Sequence, residues 1–510
     1  MSQHFDLHTH TSLKTMLGGT DNSKRKSCWT IVNSKFLDGL SGGIIGSQSS
    51  LRQMREGNVK IAVTALYSLE QAFAKNWLLK KVITKIEKDL SKKYLESIAD
   101  DRLSPYRNLT DELAHIGNAS KDINEVKVVR SNEELDATKI NLILATEGLH
   151  CFQNSYSLAN PQQVLNDIKK NFTEFIQSNR VLYTGLTHLT RGLICTHTYA
   201  MKMLKDKEFI PQGEGLTMAA KEMIDICYSG SGFGNKRTFV DIKHMGIVSR
   251  MQLYTYRSQK GYTNIPIVAS HIAVTGRSFN NIKIQKPKAS AKYADTVEVT
   301  HRRSYSSISF TIDPSPPEDI DFNPWSLNIY DEEIIHIIES GGIMGLILDA
   351  RVLGAPYTVS EDPGEGIEYF SKESCDYLRA NNHFNEKLVN EPEQESIILE
   401  ISKKEAIGVA HLFANLMHII KTCYDKYSES DKKLKAWDHV CIGSDSDGLI
   451  ATIHGYLDAS DFEILKGELS DLFDSAREGA LKKYFGTLPN DILLSKLFYS
   501  NGAKFLEKHL

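Results

Sequence analysis

Short apolar runs, each closed by a polar residue, alternate along the chain with stretches whose apolar positions recur every three or four residues. The first pattern reads as buried strand and the second as amphipathic helix. Strands are expected at Phe5 to His8, Lys60 to Leu66, Ile140 to Ala145, Val181 to Leu186, Thr238 to Ile242, Pro266 to Ala269, Ile343 to Leu348 and Val440 to Ile442. Between them the spacing predicts helices over about 69–97, 161–177, 217–228, 249–259, 331–340 and 403–424, with closing helices at about 459–484 and 490–508. In the first of these, Leu78, Val82, Ile86 and Leu90 step by four and give the helix one apolar face. Eight strands, each followed by a helix or by an insertion and a helix, make the tally of an α/β protein of the (β/α)8 TIM barrel type. One unit spanning residues 1–510 is expected, with long loop insertions at about 11–58, 278–325 and 351–400. The strand-like run SISFTI in the second insertion suggests a small hairpin over the barrel mouth.

Composition narrows the class. The chain has 510 residues, 41% hydrophobic and 24% charged, with a formal net charge of -4, enough length for a large core and no basic footprint for nucleic acid. No apolar run reaches the length of a membrane helix, so no membrane partner is expected. The seven cysteines form no CxxC pair and read as reduced, buried thiols of a cytoplasmic protein. A homodimer is left open.

The chemistry sits where the strands end. His8 and His10 close the first strand, Glu147 the third, His188 the fourth, His244 the fifth, His271 the sixth and Asp445 the eighth. In a parallel barrel these ends share one face. Imidazoles and carboxylates gathered there suit zinc or a similar divalent ion, and two such ions with a carboxylate between them can activate a water. A single histidine at a strand end is more often structural, and an aspartate in SDSDG often only caps a turn. Matching positions on six strands weigh against coincidence. His150, His197, His301 and His411 lack that placement and read as structural. The closely spaced glycines of GSGFGNK precede a strand and make no phosphate cradle.

With these residues in place the chain resembles the renal (membrane) dipeptidase-like metallohydrolases, an amidohydrolase-type branch of the barrels. The matching pieces, in order, are DLHTH at 6–10, SSLRQMREGNVKIAVTALYS at 49–68, ATEGLH at 145–150, GLTHLTRG at 185–192, VDIKHMG at 240–246, PIVASH at 266–271, ESGGIMGLIL at 339–348 and HVCIGSDSDG at 439–448. The resemblance implies that His8, His10, Glu147, His244 and His271 hold two zinc ions, with Glu147 bridging. It implies that His188 binds substrate and that Asp445 moves protons. The family's usual His-x-Asp is His8-Thr9-His10 here, and Leu327 and Asn328 stand where its substrate-gripping arginine is expected, which leaves Arg277 as the candidate substitute. The expected activity is metal-dependent hydrolysis of amide bonds, with a dipeptide or another small molecule as substrate. The alternatives are hydrolysis of an acyl-amino acid, cyclic amide or lactone, or a catalytically inactive ligand-binding descendant.

Overall fold

A computed structural model describes residues 2–19, 24–32, 44–84, 88–202, 204–285, 287–311, 317–356, 366–386, 397–400 and 406–510. Eight parallel strands follow one another around a nearly closed barrel: β1 (His4–Thr9), β2 (Val59–Leu66), β3 (Ile140–Thr146), β4 (Val181–Gly185), β5 (Phe239–Asp241), β6 (Ile267–Ile272), β7 (Ile343–Leu346) and β8 (Val440–Ile442). All eight stand where the apolar runs place them. Residues in seven of the eight are buried throughout, as expected of strands covered on both faces. The seam between β8 and β1 is closed by a bridge between Thr9 and Ser446. There Asp445 N donates to His8 O (3.0 Å) and His10 N donates to Ser446 O (2.9 Å).

The surrounding helices follow from caps and periodicity. In Pro161–Ser178, Asn160 caps Gln163 N, proline fills the first position, and Val164, Ile168, Phe172, Phe175 and Ile176 turn inward. The single helix expected over 69–97 is instead Gln71–Lys75, Trp77–Ile83 and Lys88–Ala99, with Asn76 extended at the first break. The apolar face assigned to Leu78, Val82, Ile86 and Leu90 lies outside the described side chains. A further helix, Pro105–Asp122, is capped by Ser104 and buries Leu109 and Ile116. The closing helix Asn501–His509 lies so near β1 that a Cβ on Gly502 would stand 2.2 Å from the Phe5 ring.

The hairpin expected at SISFTI exists as Ser304–Thr311 paired antiparallel with Glu318–Phe322. It is not an isolated excursion, because Ser304–Thr311 also pairs in parallel with Ile397–Glu400 of the later insertion. Thr296–Thr300 likewise pairs with Ile367–Ser371, so the two insertions build common sheets. One continuous hydrophobic core includes barrel residues such as Phe5 and insertion residues such as Val299, Phe310 and Phe370. Among the described residues, no helix is long and apolar enough to cross a membrane. All seven cysteines are buried and free.

Candidate metal centre

Alternation along β1 puts Asp6, His8 and His10 on the barrel's inner side, and the two histidines reach the C-terminal mouth. Asp6 lies beneath them and ties β1 to β8: its carboxylate accepts from Ser444 N (2.9 Å) and Ser444 Oγ (2.5 Å). Asp241 on β5 plays the same part toward β6, accepting from Ser270 N (3.1 Å) and Ser270 Oγ (2.5 Å). Burial raises both of these carboxyls to about 6.

Above this layer five imidazoles converge on Glu147. From its Oε1, His244 Nε2 stands at 3.2 Å and both His8 Nε2 and His271 Nε2 at 3.6 Å. From its Oε2, His10 Nε2 stands at 3.1 Å and His188 Nε2 at 3.6 Å. Asp445 Oδ1 lies 3.6 Å from His10 Nε2 and 3.9 Å from His8 Nε2. Two ligand sets result, His8 with His10 and Asp445, and Glu147 with His244 and His271, each with donor atoms within 4.8 Å of one another. The third set is His8, Asp241 and His271.

The hydrogen bonds behind the rings decide what these nitrogens can hold. Tyr183 OH donates to Leu7 O (2.8 Å), so it accepts from His8 Nδ1–H (2.8 Å). Ser270 Oγ donates to Asp241, so it accepts from His271 Nδ1–H (2.8 Å). Burial holds both rings well below the usual histidine range, and they are therefore neutral. Each Nε2 is thereby left as an acceptor, 3.6 Å from Glu147 Oε1, with His10 Nε2 3.3 Å from that of His8 and His244 Nε2 3.2 Å from that of His271. Burial raises Glu147, but His188 and His10 outweigh it and hold this carboxyl well below its ordinary value. Backing a ligand ring through Nδ1 is how proteins orient imidazoles toward a metal. The donor set therefore fits a divalent ion.

Other rings differ. His188 Nδ1 donates to Glu70 Oε1 (2.7 Å), and Glu70 also takes the Tyr67 hydroxyl. Burial opposes ionisation of Glu70, but His188 and His150 bring it down to about 2. Burial lowers His10, yet Glu147 and Asp445 lift it to about 9 in the ion-free balance. His244 is pushed down to about 3, chiefly by burial. The Nδ1 atoms of His10 and His244 have no hydrogen-bond partner.

His244 (φ 65°), Asp445 (φ 60°) and Asp447 (φ 68°) all occupy the left-handed region, strain that surrounding structure must hold in place. Gly448 makes room for this turn, since a Cβ there would stand 2.1 Å from Asp445 Oδ1. The two aspartates of SDSDG part company here. Asp447 accepts from Gln48 N (2.7 Å), Ser49 N (3.0 Å) and Ser49 Oγ (2.9 Å), which anchors the insertion after β1. Asp445 faces the histidines, and burial raises its carboxyl well above the usual range.

Arg277 is engaged by the insertion that follows β6. Its guanidinium donates to Lys283 O (2.6 Å), Arg303 O (2.9 Å) and Arg302 O, so it fastens the insertion and does not face the imidazoles. Sequence reasoning missed Glu70, Tyr183, Asp241, Ser270 and Lys243. Lys243 is 3% exposed and its Nζ has no hydrogen-bond partner. Burial lowers this amine to about 8, opposed by Asp445, Asp241, Asp349 and Glu147.

No family model and no curated protein matches the sequence. Solved structures do. A metallo peptidase from Rhodobacter sphaeroides, liganded with a phosphinate mimic of the dipeptide L-Ala-D-Ala, aligns with a TM-score of 0.53 at 14% identity, over 100% of this chain and 99% of that one. The chain shares the fold of a metallopeptidase barrel. The probable dipeptidase PvdM from Pseudomonas aeruginosa aligns with a TM-score of 0.48 at 13% identity, over 100% of this chain and 96% of that one. At such identity the likeness is one of fold, and the ligand geometry has to carry the chemistry.

Proposed function

We propose that the protein is a metal-dependent hydrolase of amide bonds, acting on dipeptides or similarly small acylated amino acids. The observation that carries this reading is the convergence of the His8, His10, His244 and His271 Nε2 atoms on the buried Glu147 carboxylate, with Asp445 beside them. His8, His10, Glu147, His244 and His271 would hold a pair of divalent ions, zinc being the natural choice for this donor set. Bound there, the ions acidify a water and polarise the scissile carbonyl.

The chain's own groups supply the rest. Asp445, whose Oδ1 stands beside His10 and His8, would take the proton of the attacking water and deliver it to the departing amine. His188 donates through Nδ1 to Glu70, so its Nε2 is aimed at the substrate side of Glu147 and positions the carbonyl. Tyr183 and Ser270 keep His8 and His271 in the tautomer that leaves Nε2 free. The likeness to a metallo peptidase liganded with a dipeptide mimic supports the substrate class.

Elemental analysis of protein purified without chelator, followed by a hydrolysis screen of dipeptides, acyl-amino acids and lactones, tests the proposal. Bound divalent metal and amide hydrolysis abolished by chelator are expected. A protein that neither carries nor takes up metal overturns it.

A further inference from the structure

The strongest unexplained group in the mouth is Lys243. It follows β5 in the turn between Asp241, whose carboxylate accepts from its backbone N (3.1 Å), and the ligand candidate His244. Its amine is deeply buried and has no hydrogen-bond partner among the described residues, whereas Arg277 and Arg250 are spent on the fold. Arg277 binds carbonyls of the insertion, and Arg250 binds Glu333. Removing an ammonium from water without a hydrogen-bond partner is costly, and a protein keeps such a group where an incoming partner completes it. Lys243 stands between Asp241 and His244, both members of the ligand clusters, and the carboxylates whose fields reach its amine are Asp445, Asp241, Asp349 and Glu147. Asp241 is taken by Ser270 and Asp349 by Arg351.

Resting on the hydrolase reading, we infer that Lys243 binds a negatively charged group of the substrate, a carboxylate held next to the scissile bond. The centre then favours acids. Glu147 and Asp445 only partly offset two divalent ions, and an ammonium added to that field attracts an anion and repels a substrate cation. A lysine serves here as a compact point charge, a task that needs no planar fork.

The test uses the full-length, zinc-loaded protein and its Lys243→Met and Lys243→Gln variants, with folding checked by thermal melting and zinc by elemental analysis. Binding of N-acetylglycine and of N-acetylglycinamide is measured by calorimetry. The wild type is expected to bind the acid at least about tenfold more tightly than the amide, and both variants are expected to lose that preference while keeping their zinc. A wild type that binds both ligands equally, or binds neither, overturns the inference. A variant with full zinc and an undiminished preference for the acid also overturns it. If Lys243 serves only to keep Asp445 ionised, turnover falls equally on acidic and neutral substrates and the binding preference stays, which counts against it too. Failure of the hydrolase reading looks different: the acid preference persists while no amide, acyl-amino acid or lactone is cleaved.

Discussion

Arg250 and Glu333 are as deeply buried as His8 and Glu147, yet the two clusters are built to opposite rules. All five guanidinium donors of Arg250 are used: Nε and Nη2 on Glu333 (2.7 and 3.0 Å), Nη1 on Met245 O and Ser326 O (2.8 Å each), and Nη2 on Asn328 O (3.1 Å). Glu333 is completed by Tyr254 OH (2.7 Å) and Tyr330 N (3.0 Å). That is a finished structural joint, fastening the loop before helix Asp331–Glu339 to helix Ile247–Gln259. Around Glu147 the count does not close, because His10 Nδ1, His244 Nδ1 and Lys243 Nζ find no hydrogen-bond partner among the described residues. Buried charge that satisfies itself holds a fold together, and buried charge left incomplete waits for something from outside.

The sharpest way to break that contrast is Glu147→Gln. Losing the central charge should lower metal content and abolish hydrolysis. Elemental analysis and urea unfolding of both proteins decide it, and large destabilisation with intact metal would reverse the assignment. Next in size is Asp445→Asn, which keeps shape and loses proton transfer. Turnover should fall by about 10²–10⁴-fold with metal retained, whereas Asp447→Asn should act through loop anchoring instead. An active Asp445→Asn with normal metal would remove the carboxylate from the chemistry. At the structural joint, Arg250→Met should cost about 3–5 kcal/mol in denaturant unfolding because Glu333 is left charged and unpaired, with metal affinity unaltered.

A smaller effect is expected from His10→Asp. A negative ligand replaces one that Glu147 and Asp445 already draw toward protonation, and metal affinity should rise by about tenfold or more in competition titrations. The least expected effect comes from outside both clusters. His411 is buried and held at about 4, below its unfolded value of 6.5, so the unfolded chain binds the extra proton between those limits and stability falls as pH drops through them. Measured at pH 7 and pH 5, wild type should lose on the order of 1–3 kcal/mol more than His411→Leu.

The strands and their terminal histidines were legible because each signal is local: an apolar run and the residue that ends it. Glu70, Tyr183 and Ser270 were not, since each matters only through a neighbour on another strand. Asp445 and Asp447 look equivalent in SDSDG, and only the fold shows one facing the imidazoles and the other bound to Gln48 and Ser49. The carbonyl partners of Arg277, 6, 25 and 26 residues away, are equally invisible in the local sequence. Helix Pro105–Asp122 was legible in principle, through Ser104-Pro105 and the seven-residue step from Leu109 to Ile116. The joint sheets of the two insertions carry no such local mark.

The closing bridge between Thr9 and Ser446 also dictates an order of assembly. His8 and His10 are synthesised long before Asp445, yet they meet across one seam. Contacts so distant in sequence form slowly, because nearly the whole chain must be gathered before they reward it. Until β8 arrives, β1 presents an unpaired parallel edge that another nascent chain can join. Joining Thr9 to Ser446 removes that edge and brings Asp445 to His8 and His10 in the same step.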